Sequence, residues 1–299
     1  MKILGIPVKN RDLGSCRLRY YSFLDNLPEG WMHEKYSSEK DGDILYIQKA
    51  VKDWTLLAAK QARKKGMPVV FDRDDFQQPW HKPHSDMMDL ADAVTTDTEA
   101  NAELCRKHTK TPVYVVPDGL DYNVKPTDRA MIRNEVRKVV TYGRQANVMS
   151  ITAYYKYIKC NTVYICDRRF NSLRQSKFYM WNRKTFLQII KGCDAVLLTH
   201  NKDFRVIYKP PTRALVAMSI GLPVLVSMSP EFKRVVTEAG HPELIIKKPT
   251  DVTRILKEIS SQEKRQKIGD DLHAYTWKNY SPQKSSQMLA DIMTEVINA

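Results

Sequence analysis

The chain has 299 residues, of which 42% are hydrophobic and 27% charged, and these globular values exclude an intrinsically disordered protein. With 48 basic and 34 acidic residues its net charge is +14, which favours a polyanionic partner: nucleic acid, an acidic glycan or an anionic membrane surface. No apolar run approaches the roughly 20 residues that span a bilayer, no secretory signal is evident, and the five cysteines lack paired metal spacing, so we expect a cytoplasmic protein with reduced thiols.

Apolar β-rich runs alternate with helical patterns along the chain, which predicts parallel sheets built from strand–helix–strand units. In the first half, strands are predicted at 3–8, 44–48, 68–71, 93–95 and 113–116, with helices at 15–27, 53–65, 85–91 and 98–108. In the second half, strands are predicted at 139–142, 162–166, 195–199, 223–226 and 244–246, with helices at 147–157, 183–192, 211–221, 231–239, 251–260 and 262–277.

A polar, charge-rich stretch at 118–138 marks the expected domain boundary. We therefore expect an N-terminal domain at 1–125, a C-terminal domain at 137–281 and a terminal helix at 282–299. Ligands of open α/β sheets gather beyond the carboxyl ends of the strands, so the residues that directly follow strands are the candidates for function.

Three carboxylates in four residues follow the predicted strand at 68–71: Asp72, Asp74 and Asp75. Crowded carboxylates raise one another's pKa, which suits a general base near neutral pH. Asp75 is the first candidate for the catalytic carboxylate and Asp74 the second. Alternatively, these residues cap the turn and pair with Arg73. A divalent metal is possible here, although no nearby histidine completes a ligand set.

The loop at 76–84 mixes aromatic, basic and proline residues, including Trp80 and His81. Aromatic faces stack on sugars and on extruded bases, so we expect Trp80 and His81 to bind an acceptor. The alternative is that Trp80 simply packs beneath the loop.

The stretch 159–191 is rich in basic residues with aromatic residues between them, and Arg168, Arg169 and Arg174 stand at its centre. That pattern is typical of a surface that faces nucleic acid, so these three arginines are candidate acceptor contacts. A solvated basic face is the alternative.

The segment 209–227 predicts a helix that opens on paired prolines, stops at Gly221 and leads into a buried strand. Lys209 and Arg213 are four residues apart, so both are expected over the first turn of the helix. Backbone N–H groups and the positive end of the helix dipole lie there too, and together they suit a diphosphate.

With the run VAMSIGLPV at 216–224, this segment resembles the donor-site helix of GT-B glycosyltransferases of the group 1, family 4-like kind. The resemblance implies an α/β protein of the GT-B fold, with two Rossmann-like doubly wound domains facing across a cleft and a last helix that returns to the first domain. It also implies a UDP- or GDP-sugar co-substrate and no required cofactor. The family glutamate that holds the donor ribose falls on Val216, so that contact is not carried over.

The resemblance also assigns site residues. The donor-binding residues that it implies are Lys209, Arg213, Arg144, Gly143, Thr212 and His200. The first strand–helix turn resembles a turn that lines the cleft in the family, which makes Arg17, Arg19 and Tyr20 acceptor-binding candidates.

The sequence thus predicts a glycosyltransferase that moves a sugar from a nucleotide diphosphate donor to an acceptor hydroxyl. The favoured acceptor is a hydroxymethylated pyrimidine base in DNA, because phage enzymes that modify such bases share this fold, a modest size and basic clefts. A cell-surface polysaccharide or lipid-linked glycan is the alternative acceptor, and a non-catalytic nucleotide- or nucleic-acid-binding module is the alternative outside enzymes. The oligomeric state is left open.

Overall fold

The structure is a computed structural model that describes residues 1–76, 80–120, 124–169, 176–200 and 203–299. The chain divides into two compact units. Unit 1 comprises Met1–Tyr122, Tyr208–Pro210 and Tyr280–Ala299, and unit 2 comprises Asn123–Ile207 and Pro211–Asn279. Arg174, a predicted acceptor contact, lies outside the described residues.

Unit 1 contains a six-stranded parallel sheet in the order β2-β1-β3-β4-β5-β6. Its strands are β1 (Lys2–Ile6), β2 (Met32–Lys35), β3 (Ile44–Gln48), β4 (Val69–Arg73), β5 (Ala93–Thr96) and β6 (Val113–Val115). Every residue of β3, β4 and β5 is buried, as expected for parallel strands that are covered on both faces.

A π-helical turn at Cys16–Tyr21 precedes the helices of unit 1. Those helices are α1 (Ser22–Leu24), α2 (Asp53–Lys64), α3 (Lys82–Leu90), α4 (Glu99–Arg106) and, further along the chain, the terminal helix Pro282–Ile297. The terminal helix packs on α1, where the Ser286 hydroxyl donates a 2.6 Å hydrogen bond to the carbonyl of Phe23. Leu289 and Met293 share an apolar cluster with Phe23.

Unit 2 contains a second six-stranded parallel sheet, in the order β12-β11-β10-β7-β8-β9. Its strands are β7 (Lys138–Gly143), β8 (Asn161–Cys166), β9 (Ser176–Met180), β10 (Ala195–Leu198), β11 (Val224–Ser227) and β12 (Ile245–Ile246). Its α-helices are α5 (Gln145–Met149), α6 (Arg183–Lys191), α7 (Thr212–Ser219), α8 (Pro230–Glu238), α9 (Asp251–Glu258) and α10 (Gln262–Tyr280), so the terminal helix of unit 1 is α11. Two parallel sheets in α/β units confirm the predicted fold class.

Two strands were not predicted from the sequence, and both lie at the edge of a sheet. In β2, with the sequence MHEK, every residue is at least partly exposed, and β9, with the sequence SKFYM, is equally unburied. An edge strand needs no continuous apolar run, so its sequence lacks the signal that identifies a buried central strand.

Each sheet has one switch point, where strands that follow one another in the sequence begin to lie on the opposite side of the first strand. In unit 1 this point lies between β1 and β3, because β2 was added on the other side of β1. In unit 2 it lies between β7 and β10, since β8 and β9 extend one way and β11 and β12 the other. Such switch points leave a crevice at the carboxyl ends of the strands, where ligands of this class of fold bind.

Candidate functional site

In unit 2 the Arg213 guanidinium lies at the switch point of the sheet. Its Nη1 donates to the carbonyl of Tyr142 in β7 and its Nη2 to the carbonyl of Thr199, the residue after β10, each at 3.3 Å. The Tyr142 hydroxyl in turn donates a 2.6 Å hydrogen bond to the Arg213 carbonyl. The guanidinium is therefore held across the ends of the two strands between which a ligand crevice is expected.

Arg213 carries its charge in a poorly solvated place. Desolvation by burial lowers the pKa of Arg213 to about 10, so the group remains a cation at neutral pH. Within the described part of the chain, no carboxylate lies at ion-pair distance from it, and the Phe232 ring lies 5.4 Å from its Cζ. Because a desolvated cation without a counter-ion is costly, this arrangement suits an anionic ligand.

Gly143, the last residue of β7, adjoins the Arg213 side chain. Its φ is +139°, a conformation that side-chain-bearing residues rarely adopt. A Cβ atom at this position would lie 3.2 Å from Cδ and 3.3 Å from Nη1 of Arg213. Glycine is therefore needed here both for the backbone and for the space that the guanidinium occupies.

His200 joins the same cluster through Phe232. The His200 ring stacks on the Phe232 ring, with centroids 4.6 Å apart and planes inclined by 27°. Its Nδ1 lies 3.1 Å from the hydroxyl of Ser229, just beyond the end of β11. Phe232 thus contacts both the predicted histidine and the predicted arginine of the donor site.

Ser227 and Ser229 are functional candidates that the sequence motifs did not indicate. The buried Ser227 hydroxyl, at the end of β11, has no hydrogen-bond partner among the residues that the structure describes. Buried hydroxyls are nearly always hydrogen-bonded, so this one marks a place for a ligand or a water. The position of Ser227 at the end of β11, and of Ser229 just beyond it, was the sequence signal that could have identified them.

Two further donor candidates, Arg144 and Thr212, have different surroundings. Arg144 precedes α5 as its N-cap residue and has an exposed side chain. Thr212 is the first residue of α7 and is partly buried. Because α7 begins at Thr212, Lys209 lies before the helix and Arg213 within its first turn, and the shared position of the two side chains over that turn stays a prediction.

Lys209 belongs instead to unit 1, where it pairs with a predicted catalytic residue. Its Nζ lies 2.7 Å from Oδ1 of Asp75, and both side chains are about two-fifths exposed, at 41% and 38%. The neighbouring Tyr208 is held by a 3.1 Å hydrogen bond from the Asn101 amide to its carbonyl.

Asp75 has an unusual backbone, with a φ of +59°. Its N–H donates a 2.9 Å hydrogen bond to Oδ2 of Asp97, which follows β5, and the Lys49 ammonium lies 3.7 Å from its carboxylate. A non-glycine residue in this region is strained unless its surroundings hold it there, and such strain is commonest at functional sites. Asp97 supplies that restraint.

Asp74 is buried, in contrast to Asp75. Its Oδ1 lies 3.2 Å from the Lys49 ammonium, and burial raises its pKa to about 6. Burial, followed by the charge of Asp118, raises the pKa of Asp97 to about 7. Of the two predicted catalytic carboxylates, Asp75 is therefore the accessible one, and Asp74 lies behind it.

Arg19 was predicted to bind an acceptor, and the structure contradicts this. Its side chain is fully buried and forms an ion pair with Asp72 at 2.6 Å and another with Asp118 at 3.0 Å. It also donates a 2.8 Å hydrogen bond to the carbonyl of Val116. The arginine therefore neutralises buried carboxylates and does not reach solvent.

Tyr20 is also a core residue and not an acceptor contact. It is 3% exposed and stacks on Tyr46, with ring centroids 5.9 Å apart. Its hydroxyl occupies the space over Gly5, where a Cβ atom would lie 2.0 Å from it. Arg17, from the same turn, is 7% exposed.

The remaining acceptor candidates are exposed. Trp80 is 56% exposed, and its ring lies 5.8 Å from that of His108. His81 is exposed and lies beside His84. Burial lowers the pKa of His84 to about 4. Arg168 and Arg169 are exposed just after β8. Across the described ranges, no group of three or more histidine, cysteine or acidic side chains is arranged to hold a metal ion.

No protein-family profile and no curated protein sequence matches the chain. Several solved structures do match it along its length. HepE from Anabaena, solved in complex with UDP, is 13% identical with a TM-score of 0.73, and the match covers 99% of this chain and 100% of that one. A glycosyltransferase from Rickettsia africae is 9% identical with a TM-score of 0.67, covering 99% and 98%.

A trehalose-6-phosphate structure from E. coli, bound with UDP-2-fluoro glucose, is 12% identical with a TM-score of 0.63 and covers 98% of both chains. These whole-length likenesses show that the chain has the GT-B fold. In the part of the chain that the structure describes, no helix has the length and apolar character needed to cross a membrane.

Proposed function

We propose that the protein is a glycosyltransferase that transfers a sugar from a nucleoside diphosphate sugar, with UDP as the leaving group. Arg213 is the observation that carries this proposal. It is a partly buried cation that no described carboxylate pairs with, held at the switch point of the unit 2 sheet. A diphosphate would supply the missing counter-charge.

The chemistry of the reaction explains why such a cation is useful. When the bond between the sugar and the diphosphate breaks, negative charge builds up on the leaving diphosphate oxygens. A cation already held in position stabilises that charge without reorganising, and a low local dielectric strengthens the effect. Arg213 meets this requirement because two backbone carbonyls fix its guanidinium before any ligand arrives.

The matched structures support UDP as the nucleotide. HepE is in complex with UDP, and the E. coli trehalose-6-phosphate structure is bound with UDP-2-fluoro glucose. Gly143 and His200 adjoin Arg213 directly or through Phe232, so we assign them to the same donor site. The exposed Arg144 is assigned a lesser part in it.

We assign the acceptor step to Asp75. Its carboxylate is accessible, it lies just after the central strand β4, and the ammonium groups of Lys49 and Lys209 orient it. A carboxylate placed in this way takes the proton of an attacking hydroxyl or holds that hydroxyl in place. Lys209 is in this proposal the counter-ion of Asp75.

The fold does not identify the acceptor, so its class must be determined by experiment. The exposed Arg168 and Arg169 favour a polyanionic acceptor, and a hydroxymethylated base in DNA is the member of that class that the sequence predicted. A polysaccharide or lipid-linked glycan is the competing acceptor.

The test begins with calorimetric titration of UDP and GDP into the purified protein. UDP-sugars carrying a radiolabel are then incubated with hydroxymethylated DNA, unmodified DNA, oligosaccharides and lipid-linked glycans. UDP release with label in one acceptor supports the proposal and names the acceptor. Tight UDP binding without release in the presence of every acceptor would favour a non-catalytic module, and the absence of UDP binding would remove the proposal.

A further inference from the structure

Helix α2 buries its small side chains and exposes two of its three large apolar ones, while the third, Leu56, packs against the core. Ala58, Ala59 and Ala62 face the core of unit 1, whereas Trp54 is 53% and Leu57 55% exposed. A surface helix ordinarily does the opposite, because burial of a large apolar side chain is worth far more than burial of an alanine. Trp54 and Leu57 are three residues apart, so they form one apolar patch on the outer face.

Lysines surround this patch. Lys60 and Lys64 are exposed at helical spacings that place them on the same outer face as Leu57, and Lys52 directly precedes the helix. Residues 52–65 contain five basic residues against the single acid Asp53. The outer face of α2 therefore combines an exposed indole and leucine with a local positive charge.

The basic residues of α2 differ in whether the described residues bind their side chains. Arg63 donates a 2.7 Å hydrogen bond to the carbonyl of Leu90, and Lys65 donates one of 3.0 Å to Ser38. In contrast, no described residue forms an ion pair or hydrogen bond with the ammonium groups of Lys52, Lys60 or Lys64, although the Thr55 hydroxyl donates to the Lys52 carbonyl. Three unpaired cations around two exposed apolar side chains have the composition of a helix that lies in a membrane interface.

We propose that the outer face of α2, defined by Lys52, Trp54, Leu57, Lys60 and Lys64, docks the protein on the surface of an anionic lipid bilayer. The indole and the leucine would enter the boundary between headgroups and acyl chains, and the lysines would contact lipid phosphates. Each lysine near such a surface contributes on its own, and salt weakens that contribution.

An anionic bilayer fits this face better than the other occupants do. Nucleic acid would use the lysines and stack on Trp54, but it offers Leu57 no apolar surroundings. A second copy of a chain with a net charge of +14 would bring lysines against lysines. The proposal does not depend on glycosyl transfer, since α2 contains none of the residues assigned to donor or acceptor.

The test is flotation of the full-length protein with vesicles of phosphatidylcholine alone or with about one-third phosphatidylglycerol. We expect binding to the anionic vesicles only, declining as sodium chloride is raised. Trp54→Ser with Leu57→Ser, and separately Lys60→Gln with Lys64→Gln, should each weaken it by roughly tenfold or more. The lysine variant should also show the flatter salt dependence.

Two matched controls separate this surface from general charge and hydrophobicity. Lys257→Gln with Lys264→Gln removes the same charge from exposed positions of unit 2, and Met131→Ser removes an apolar side chain that is 63% exposed. Both should float like the parent protein. UDP titration of every variant shows whether the donor site is intact, so a failure of docking is distinguishable from a failure of the proposed activity.

Three results would overturn the proposal. The first is equal flotation of the α2 variants and the parent, or no flotation at all. The second is self-association in sedimentation velocity that the Trp54 and Leu57 substitutions abolish while vesicle binding is absent, which would assign the face to a second copy. The third is DNA binding without vesicle binding that the Lys60 and Lys64 substitutions abolish.

Discussion

The Lys209 ammonium lies 2.7 Å from the Asp75 carboxylate, and both side chains are partly exposed. A pair this accessible adds little to stability, so its importance lies in what it positions. Asp75 also has a strained backbone that is restrained by the buried Asp97 carboxylate. An accessible carboxylate on a fixed turn with its own cation is the arrangement expected of a group that handles a proton.

Asp75→Asn should lower kcat by roughly 10² to 10⁴-fold, because the amide cannot accept the proton of the acceptor hydroxyl. The KM for the nucleotide sugar should change little. Initial rates of UDP release against donor concentration measure both. Asp86→Asn is the control, since Asp86 is a carboxylate of the same unit that pairs with the exposed Lys82. A kcat within about threefold of the parent's would remove Asp75 from the proton transfer.

Asp97→Asn should change how stability depends on pH. The pKa of Asp97 in the folded protein is raised to about 7 from its ordinary 3.8, so the folded state holds this proton more tightly than the unfolded state. Its contribution to stability is then fully present below about pH 4 and is lost as pH rises through 7, at about 1.4 kcal/mol per pH unit at most.

The variant lacks this titration, so relative to the parent protein it should gain stability as pH rises from 4 to 7. Urea unfolding at several pH values measures the difference. Asp291→Asn, at an exposed position of α11, serves as the control and should leave the pH dependence unchanged. Parallel stability curves for the parent and the Asp97 variant would show that Asp97 is ionised throughout this range.

Gly143→Ala should weaken UDP binding beyond its effect on stability. The new methyl would meet Arg213 at 3.2 Å and would also impose a side chain on a φ of +139°. Gly240→Ala isolates the second effect, because Gly240 has a φ of +86° but open space around it. Both should cost about 1–3 kcal/mol of unfolding free energy, whereas UDP affinity should fall only for Gly143. Equal UDP affinities for the two variants would contradict the contact with Arg213.

Arg19→Met should destabilise the protein by about 3–5 kcal/mol, because it leaves the fully buried Asp72 carboxylate without its cation. Arg11→Met is the matched comparison. The Arg11 pair with Asp25 is partly exposed, so its loss should cost under about 1 kcal/mol. Denaturant unfolding measures both. A stable Arg19 variant with a raised KM for the acceptor would restore the acceptor-binding role that the sequence suggested.

The sequence predicted the alternating α/β fold because buried parallel strands such as β3 and β4 are continuous apolar runs. The helix-start motif led to Arg213 and the family resemblance to Gly143, and the structure places these two residues side by side. From the sequence, Asp75 was ranked before Asp74, but only the structure shows that Asp74 is buried while Asp75, which has a positive φ, is partly exposed.

What the sequence could not supply was long-range pairing. From the sequence, Arg19 was expected to bind an acceptor, but in the structure it pairs with Asp72, which is 53 positions away. From the sequence, Lys209 was expected beside Arg213, but in the structure its ammonium donates a hydrogen bond to Asp75, which is 134 positions away. The edge strands β2 and β9 were missed for a related reason, because their residues are selected by neighbours in space and by solvent, not by a local apolar period.

Titration of UDP and of uridine into the parent protein and Arg213→Ala tests the assignment of the diphosphate most directly. If Arg213 binds the diphosphate, the substitution should weaken UDP binding by roughly 2–4 kcal/mol and leave uridine affinity nearly unchanged. Arg213→Lys should fall between the two, since an ammonium keeps the charge but loses the planar fork. Equal UDP affinity in the parent protein and Arg213→Ala would contradict the account.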